Sequence, residues 1–149
     1  MKAALGRGDW VVVCDGRKAL ILENSGDEKF ANLRARETLD HPDLSTRQQG
    51  VSPPGRTVQS LGYGRSAMSQ TDWHDEAERG FLRKLADRLN SAIESGETKA
   101  ITMIAAPRAL GMIRPVYSPR LRQAIVREVT KDMVKQPIHE IERFVTSEM

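Results

Sequence analysis

Residues 9–23 read DWVVVCDGRKALILE, and this stretch decides the fold of the chain. Two apolar runs flank Asp15-Gly16, a dipeptide that favours the tight turn of a β-hairpin. Both runs are almost continuously apolar, which is typical of strands that are covered on both faces. The segment therefore predicts a β-hairpin in the middle of a sheet.

A third strand is predicted directly after the hairpin. Residues 24–27 (NSGD) form a turn signal, and from Leu33 to Leu39 apolar or small residues alternate with polar ones. Glu37 is the one exception to that alternation. This period is typical of a half-exposed edge strand, so the first 40 residues predict a three-stranded antiparallel meander.

The second half of the chain predicts a long helix and then a buried strand. Thr71 or Asp72 can cap the helix, apolar residues recur along it every four positions, and Ser95-Gly96 ends it. Residues 99–106 (KAITMIAA) form an apolar run that Pro107 terminates. Because a helix separates it from the hairpin, this strand is expected to pair in parallel with the hairpin.

The C-terminal region predicts further helices. Ser118-Pro119 supplies an N-cap and a first helical residue, with Leu121, Ile125 and Val129 expected to face the core. A closing helix is predicted after Pro137. The fold class is therefore α/β, with a mixed sheet of about four strands (the antiparallel meander plus one parallel strand) packed by two or three helices. The 149 residues predict a single domain.

Composition limits the classes of function. The chain carries 23 cationic and 20 acidic side chains, a mild basic excess that permits nucleic-acid contact without requiring it. One cysteine, Cys14, excludes an internal disulfide and predicts a small apolar residue in a buried strand. Neither a secretory signal nor an apolar run long enough to span a bilayer is present, so a cytoplasmic location without membrane partners is expected.

Residues 41–70 form a long segment without periodicity, rich in Gly, Pro and Arg, with Asp43 as its only carboxylate. Loops of this length are commonly functional. Guanidinium forks, side-chain amides and glycine backbone amides suit phosphate oxygens, and a tyrosine can stack on a base. A solvated surface loop without a role is an equal alternative. The candidate nucleic-acid-binding residues are Arg47, Gln48, Gln49, Arg56, Tyr63 and Arg65. Neither a P-loop nor a dinucleotide fingerprint is present, and no cofactor is expected.

Residues 71–75 (TDWHD) place a histidine between two carboxylates at a helix start. His74 could act as a general base or as half of a metal site, but His41 and His139 are not at ligand spacing from it. The favoured interpretation is structural: Asp72 caps the helix, Trp73 packs on the core, and His74 hydrogen-bonds the preceding loop. These three residues are possible functional residues, and no metal site is predicted.

Asp15 follows the first strand, where a ribonuclease-H-type nuclease would keep a metal-binding carboxylate. The strand that ends at Ala105-Ala106-Pro107 offers no second carboxylate. Asp15 is therefore expected to be the polar residue of an Asp-Gly turn, and no catalytic residue is assigned.

Several segments together resemble the host-attachment protein family of bacteria. They are residues 10–19 (WVVVCDGRKA), Arg47 to Gly50 with Pro54 to Arg56, Arg65-Ser66, residues 71–74 (TDWH), residues 106–111 (APRALG), and a terminal helix from Glu128 to Asp132 with Pro137. The set spans nearly the whole chain in order. The family's name implies a part in attachment to a host, which for a chain without an export signal is expected to be indirect.

The resemblance also implies a fold like the middle domain of archaeo-eukaryotic release factors and their Pelota relatives. In those proteins a glycine-rich loop between a strand and a long helix enters the ribosome's peptidyl-transferase centre. Residues 46–66 occupy the same place here, but Gln48-Gln49-Gly50 differs in order from the Gly-Gly-Gln tripeptide. Peptide release is therefore not implied. Three hypotheses follow: a non-catalytic RNA- or ribosome-binding module, a protein-interaction or regulatory module, and a hydrolase or nuclease.

Overall fold

A computed structural model describes residues 5–41 and 70–148. Its strands are β1 (Trp10–Cys14), β2 (Lys18–Asn24), β3 (Leu33–Asp40), β4 (Ile101–Ala105) and β5 (Ile125–Thr130). Its helices are α1 (Gln70–Ser95), α2 (Pro107–Ile113), α3 (Pro119–Ala124) and α4 (Ile138–Glu148), with a 3₁₀ helix at Arg114–Val116. The strands form one mixed sheet in the order β3-β2-β1-β4-β5.

The predicted hairpin is present and central. β1 pairs antiparallel with β2, from Trp10 opposite Glu23 to Cys14 opposite Ala19. β1 also pairs in parallel with β4, from Trp10 opposite Ile101 to Cys14 opposite Ala105. Every residue of β1 and of β4 is buried, which explains why both strands are apolar except at Thr102. The predicted parallel strand is therefore confirmed.

β3 is an edge strand, as predicted, but its alternation is interrupted. Its register against β2 shifts between Ile21, opposite Glu37, and Leu22, opposite Ala35, so Arg36 is an extra residue in β3. An extra residue reverses the face on which later side chains lie. The prediction that Leu33 and Leu39 share one face is therefore wrong: the two side chains pack in different core clusters.

The helix predicted from Ser118 is correct only in its first half. Ser118 caps α3 as expected, because its Oγ accepts a hydrogen bond of 3.0 Å from the backbone N–H of Leu121. The helix ends at Ala124, however, and residues 125–130 form β5 beside β4. The prediction that Ile125 and Val129 lie in a helix is therefore wrong. The predicted helix from Glu128 to Asp132 is wrong as well. Three β-branched residues in this run pair with the free edge of β4.

The sheet separates two hydrophobic cores. On one face the helices α1, α2 and α3 cover β1, β2 and β4, with Trp10, Leu85, Leu89, Met103, Leu110 and Leu121 buried. On the other face α4 covers the sheet, with Val11, Val13, Ile104, Met133, Ile141 and Val145 buried. This two-sided covering is the α/β architecture that the sequence predicts. The described residues form five strands and four α-helices, where about four strands and two or three helices were expected.

Helix α1 carries the predicted apolar stripe but begins earlier than expected. It starts at Gln70, so Thr71 and Asp72 lie inside the helix and are not its N-cap. Phe81, Leu85 and Leu89 are buried along one face. The helix ends at Ser95, and Gly96 follows with a φ of +83°, the left-handed conformation that the predicted Gly stop requires.

Candidate functional site

The parallel strands bring several polar segments to one edge of the sheet. β1 ends at Cys14 and β4 ends opposite it at Ala105, so Asp15 and Ala106 follow at the same edge. We call this edge, from residues 14–17 to residues 105–108, the carboxyl edge. In open α/β sheets ligands bind at the carboxyl ends of the strands, which makes this edge the place to look for a site.

Both ends of the long Gly/Pro/Arg segment lie beside the carboxyl edge. At its start, the backbone N–H of His41 donates to the carbonyl oxygen of Arg17 at 3.0 Å. The His41 ring also lies 6.2 Å from the ring of Phe81 in α1, centroid to centroid. At its end, the chain enters α1 at Gln70, and the N-terminal half of α1 contacts the carboxyl edge through Glu78. The described residues on either side of residues 42–69 therefore lie beside this edge.

The predicted loop residues themselves lie outside the described residues. They are Arg47, Gln48, Gln49, Arg56, Tyr63 and Arg65, and the side chain of Asp72 is also outside the described part. Their role in binding stays a prediction. The remaining candidates, Asp15, Trp73 and His74, are described.

Asp15 is a turn residue, as the sequence predicts. Its Oδ1 accepts hydrogen bonds from the backbone N–H groups of Arg17 and Lys18, each at 2.8 Å. The next residue, Gly16, packs so closely on α1 that a Cβ atom there would lie 2.7 Å from Cδ of Glu78. The turn therefore holds α1 against the carboxyl edge, and this use of Asp15 is structural.

Trp73 and His74 lie together in the second turn of α1. Their rings meet edge to face, with centroids 5.2 Å apart and planes at 79°. Both side chains are half-buried. The Nδ1 atom of His74 is buried and has no hydrogen-bond partner in the part of the chain that the structure describes. The predicted bond from His74 to the preceding loop concerns residues outside that part.

Arg108 also lies in this region; in the sequence it belongs to the resemblance segment 106–111, but no role was predicted for it. Its Nε donates to Oε1 of Glu78 at 3.0 Å, and its guanidinium also pairs with Asp75. These ion pairs join the start of α2 to the N-terminal half of α1. Its position in the sequence could have indicated a role at this edge, since Arg108 directly follows the proline after a buried strand.

Chemistry at Cys14 is suppressed by its surroundings. The thiol is fully buried, and burial together with the nearby Asp15 carboxylate raises its pKa to about 12. A thiol with so high a pKa is a poor nucleophile and a poor metal ligand at neutral pH. Among residues 5–41 and 70–148, no group of three or more His, Cys, Asp and Glu side chains is arranged to hold a metal ion.

The chain belongs to the family described as bacterial archaeo-eukaryotic release factor family 12, whose family model matches residues 9–145. It is similar to an uncharacterised protein of Rickettsia prowazekii (strain Madrid E), with 24% identity over 138 residues that cover 91% of this chain and 90% of the relative. The predicted relation to release factors is thereby confirmed at the level of the family. The narrower relation to host-attachment proteins stays a prediction.

Among solved structures, the chain is similar to an archaeal translation termination factor, aRF1. The match covers 94% of this chain and 36% of that protein, at 10% identity and a TM-score of 0.48. The chain thus spans about a third of the length of aRF1. Among the helices of the described residues, none is long and apolar enough to cross a membrane.

Proposed function

We propose that this protein is a non-catalytic cytoplasmic module that binds RNA or the ribosome through residues 46–66. The observation that carries the proposal is the position of the described residues on either side of the long segment. The N–H of His41 donates to the Arg17 carbonyl and Asp75, near the start of α1, pairs with Arg108, so both flanking parts lie beside the carboxyl edge. Segments that leave a rigid scaffold at such an edge commonly carry function.

The chemistry of the segment supports an anionic partner. Residues 41–70 contain three arginines and a single carboxylate, Asp43. Arginine binds phosphate oxygens in bidentate fashion, and glycines let the backbone amides approach them. Arg47, Arg56 and Arg65 would bind phosphates, Gln48 and Gln49 would hydrogen-bond sugars or base edges, and Tyr63 would stack on a base.

Membership of a release-factor family supports the ribosome as the source of that RNA. The resemblance adds that in release factors the corresponding loop faces ribosomal RNA. Because Gln48-Gln49-Gly50 is not a Gly-Gly-Gln tripeptide, the proposed role is binding without peptide release. Any role in host attachment would be an indirect consequence of that binding.

The test is sedimentation of the tagged protein from lysate through a sucrose gradient, with and without ribonuclease. The wild-type protein is expected in ribosomal fractions and is expected to be released by ribonuclease or by high salt. The double reversal Arg56→Glu with Arg65→Glu is expected to remain at the top of the gradient.

The matched control is Lys29→Glu with Lys99→Glu. These two lysines are exposed and lie near the other ends of the strands, away from the carboxyl edge. Their reversal gives the same change in net charge. The control is expected to sediment as the wild type does. Wild-type protein that stays at the top in every condition would refute RNA binding and direct the search to a protein partner.

A further inference from the structure

A second basic surface lies outside the long segment, between α1 and α2. It is a groove of about 440 Å³, which we call the α1–α2 groove, lined by Asp75, Arg79, Arg83, Arg108, Gly111, Met112, Pro115 and Val116. Three of these eight residues are arginines and one is a carboxylate. Asp15 and His74 are not among these lining residues.

Two of its arginines are available to a ligand. Arg79 and Arg83 are exposed and make no ion pair with another described residue. The third, Arg108, is already held by Asp75 and Glu78. The only lining carboxylate is therefore neutralised by Arg108, and the free charge of the groove is positive.

The spacing of the two free arginines suits two successive anionic groups. Residues four apart in a helix lie on the same face, separated by about one turn, or roughly 6 Å. Each guanidinium can take one phosphate in bidentate fashion. Apart from these two arginines and the Asp75–Arg108 ion pair, the described lining residues are small or apolar and carry no aromatic ring. The groove therefore offers charged contacts to a sugar-phosphate chain and no aromatic ring on which a base could stack.

We propose that the α1–α2 groove binds the phosphate backbone of RNA through Arg79 and Arg83. The proposal rests on the RNA-binding function proposed above and adds a second contact surface to it. The groove begins at Asp75, one residue beyond His74, so it is continuous with the start of α1, which follows residues 42–69 in the sequence. An RNA strand in the groove would lead to the carboxyl edge.

Gly111 provides a way to block the groove without removing an arginine. It is exposed in α2, and a Cβ atom there would meet nothing within 4 Å. Gly111→Glu would place a carboxylate in the groove, whereas Gly111→Ala adds only a methyl group. Both variants are expected to fold, because no neighbouring atom must move.

The experiment measures binding of the purified full-length protein to purified ribosomes and to a fluorescein-labelled 20-base-pair RNA duplex, over a series of salt concentrations. Arg79→Glu with Arg83→Glu is expected to weaken binding by about tenfold or more. The magnitude of the slope of log K against log salt concentration is also expected to fall by about 1.4 to 1.8, since each lost phosphate contact removes about 0.7 to 0.9 from that slope.

The controls are the Lys29→Glu with Lys99→Glu pair, which carries the same charge change, and Gly111→Ala. Neither is expected to change the slope, whereas Gly111→Glu is expected to weaken binding as the arginine reversal does. Circular dichroism melting of each variant confirms that the fold is intact.

The outcomes separate this inference from the proposed function. If the groove variants lose binding while the Arg56→Glu, Arg65→Glu double variant binds fully, RNA binding by the α1–α2 groove is supported and RNA binding by residues 46–66 is refuted. Loss in the loop variant with unchanged binding in the groove variants would overturn the groove. Absence of wild-type binding to either RNA would overturn both, and groove variants that lose only a protein partner would also overturn the RNA assignment.

Discussion

At the scale of single residues, Asp15 and Gly16 determine how the β1–β2 turn contacts α1. Asp15 Oδ1 takes two backbone N–H groups and closes the β1–β2 turn, while Gly16 gives the space that Glu78 fills. Any side chain larger than hydrogen at residue 16 would displace the carboxyl group of Glu78, and with it the partner of Arg108. The absence of a side chain at Gly16 therefore allows α1 to approach the carboxyl edge this closely.

Gly80 and Gly96 give a matched prediction at this scale. Gly80 lies in the middle of α1, exposed, with nothing within 4 Å of a Cβ atom. Gly80→Ala is expected to raise the free energy of unfolding by about 0.5–1 kcal/mol, because alanine loses less backbone entropy. Urea denaturation measures the change.

Gly96→Ala serves as the opposing control. Its φ of +83° is unfavourable for alanine, so this variant is expected to lower the free energy of unfolding. A loss of stability in Gly80→Ala would contradict the open surroundings of that position.

At the scale of elements, charged side chains join α1 to the edge strand. Arg88 in α1 pairs with Glu37 in β3 at 2.9 Å and with Glu97 at 2.9 Å, and Arg36 pairs with Glu97 at 3.0 Å. The guanidinium groups of Arg36 and Arg88 lie over the buried Trp10 ring, at 5.1 Å and 5.6 Å from its centroid, respectively. The bulge at Arg36 makes this possible, because it turns Glu37 toward the α1 face.

Glu97 makes the stability of this junction depend on pH. Hydrogen bonds from Arg88 and then Arg36 lower the pKa of Glu97 to about 2. A carboxyl whose pKa is lower in the folded state stabilises the fold above its unfolded pKa, near 4.5, and loses that effect as pH falls toward 2. Urea denaturation at pH 6 and at pH 3 is expected to show a smaller difference for Glu97→Gln than for the wild type. Equal pH dependence in both proteins would argue against the junction.

The cap of α3 gives a second prediction for an element. Ser118 Oγ accepts the N–H of Leu121, so Ser118→Ala is expected to cost about 1 kcal/mol of unfolding free energy. Ser118→Asp can keep the acceptor and is the matched control, expected to retain most of the stability. Thermal melting of both variants measures the difference, and equal loss in both would show that the cap is not the source.

For the whole molecule, the sheet is the common wall of two cores. One lies under α1, α2 and α3, and the other lies under α4, and β1 and β4 contribute side chains to both. A change in one core therefore acts on the strands that hold the other. The two cores are expected to unfold in one cooperative transition.

Ile141→Ala in α4 tests that coupling. Ile141 is fully buried, and its truncation is expected to cost about 2–5 kcal/mol. Tryptophan fluorescence, which reports on Trp10 in the other core and on Trp73 in α1, is expected to shift to lower urea together with the circular dichroism signal. Val126→Ala, at a side chain 49% exposed on β5, is the control with little expected effect. Separate transitions for the two signals would contradict a shared wall.

Elements with strong local signals were predictable from the sequence. Residues 9–23 specify the hairpin, since continuous apolar runs around Asp-Gly leave few alternatives, and the stripe in α1 together with Gly96 specifies that helix and its end. The extra strand β5, the bulge at Arg36 and the α1–α2 groove depended on contacts between distant residues. Residues 119–130 fit a helical stripe, yet the free edge of β4 offered backbone hydrogen bonds that only the folded chain provides. In the same way, Arg79, Arg83 and Arg108 form one surface only after α2 has packed against α1.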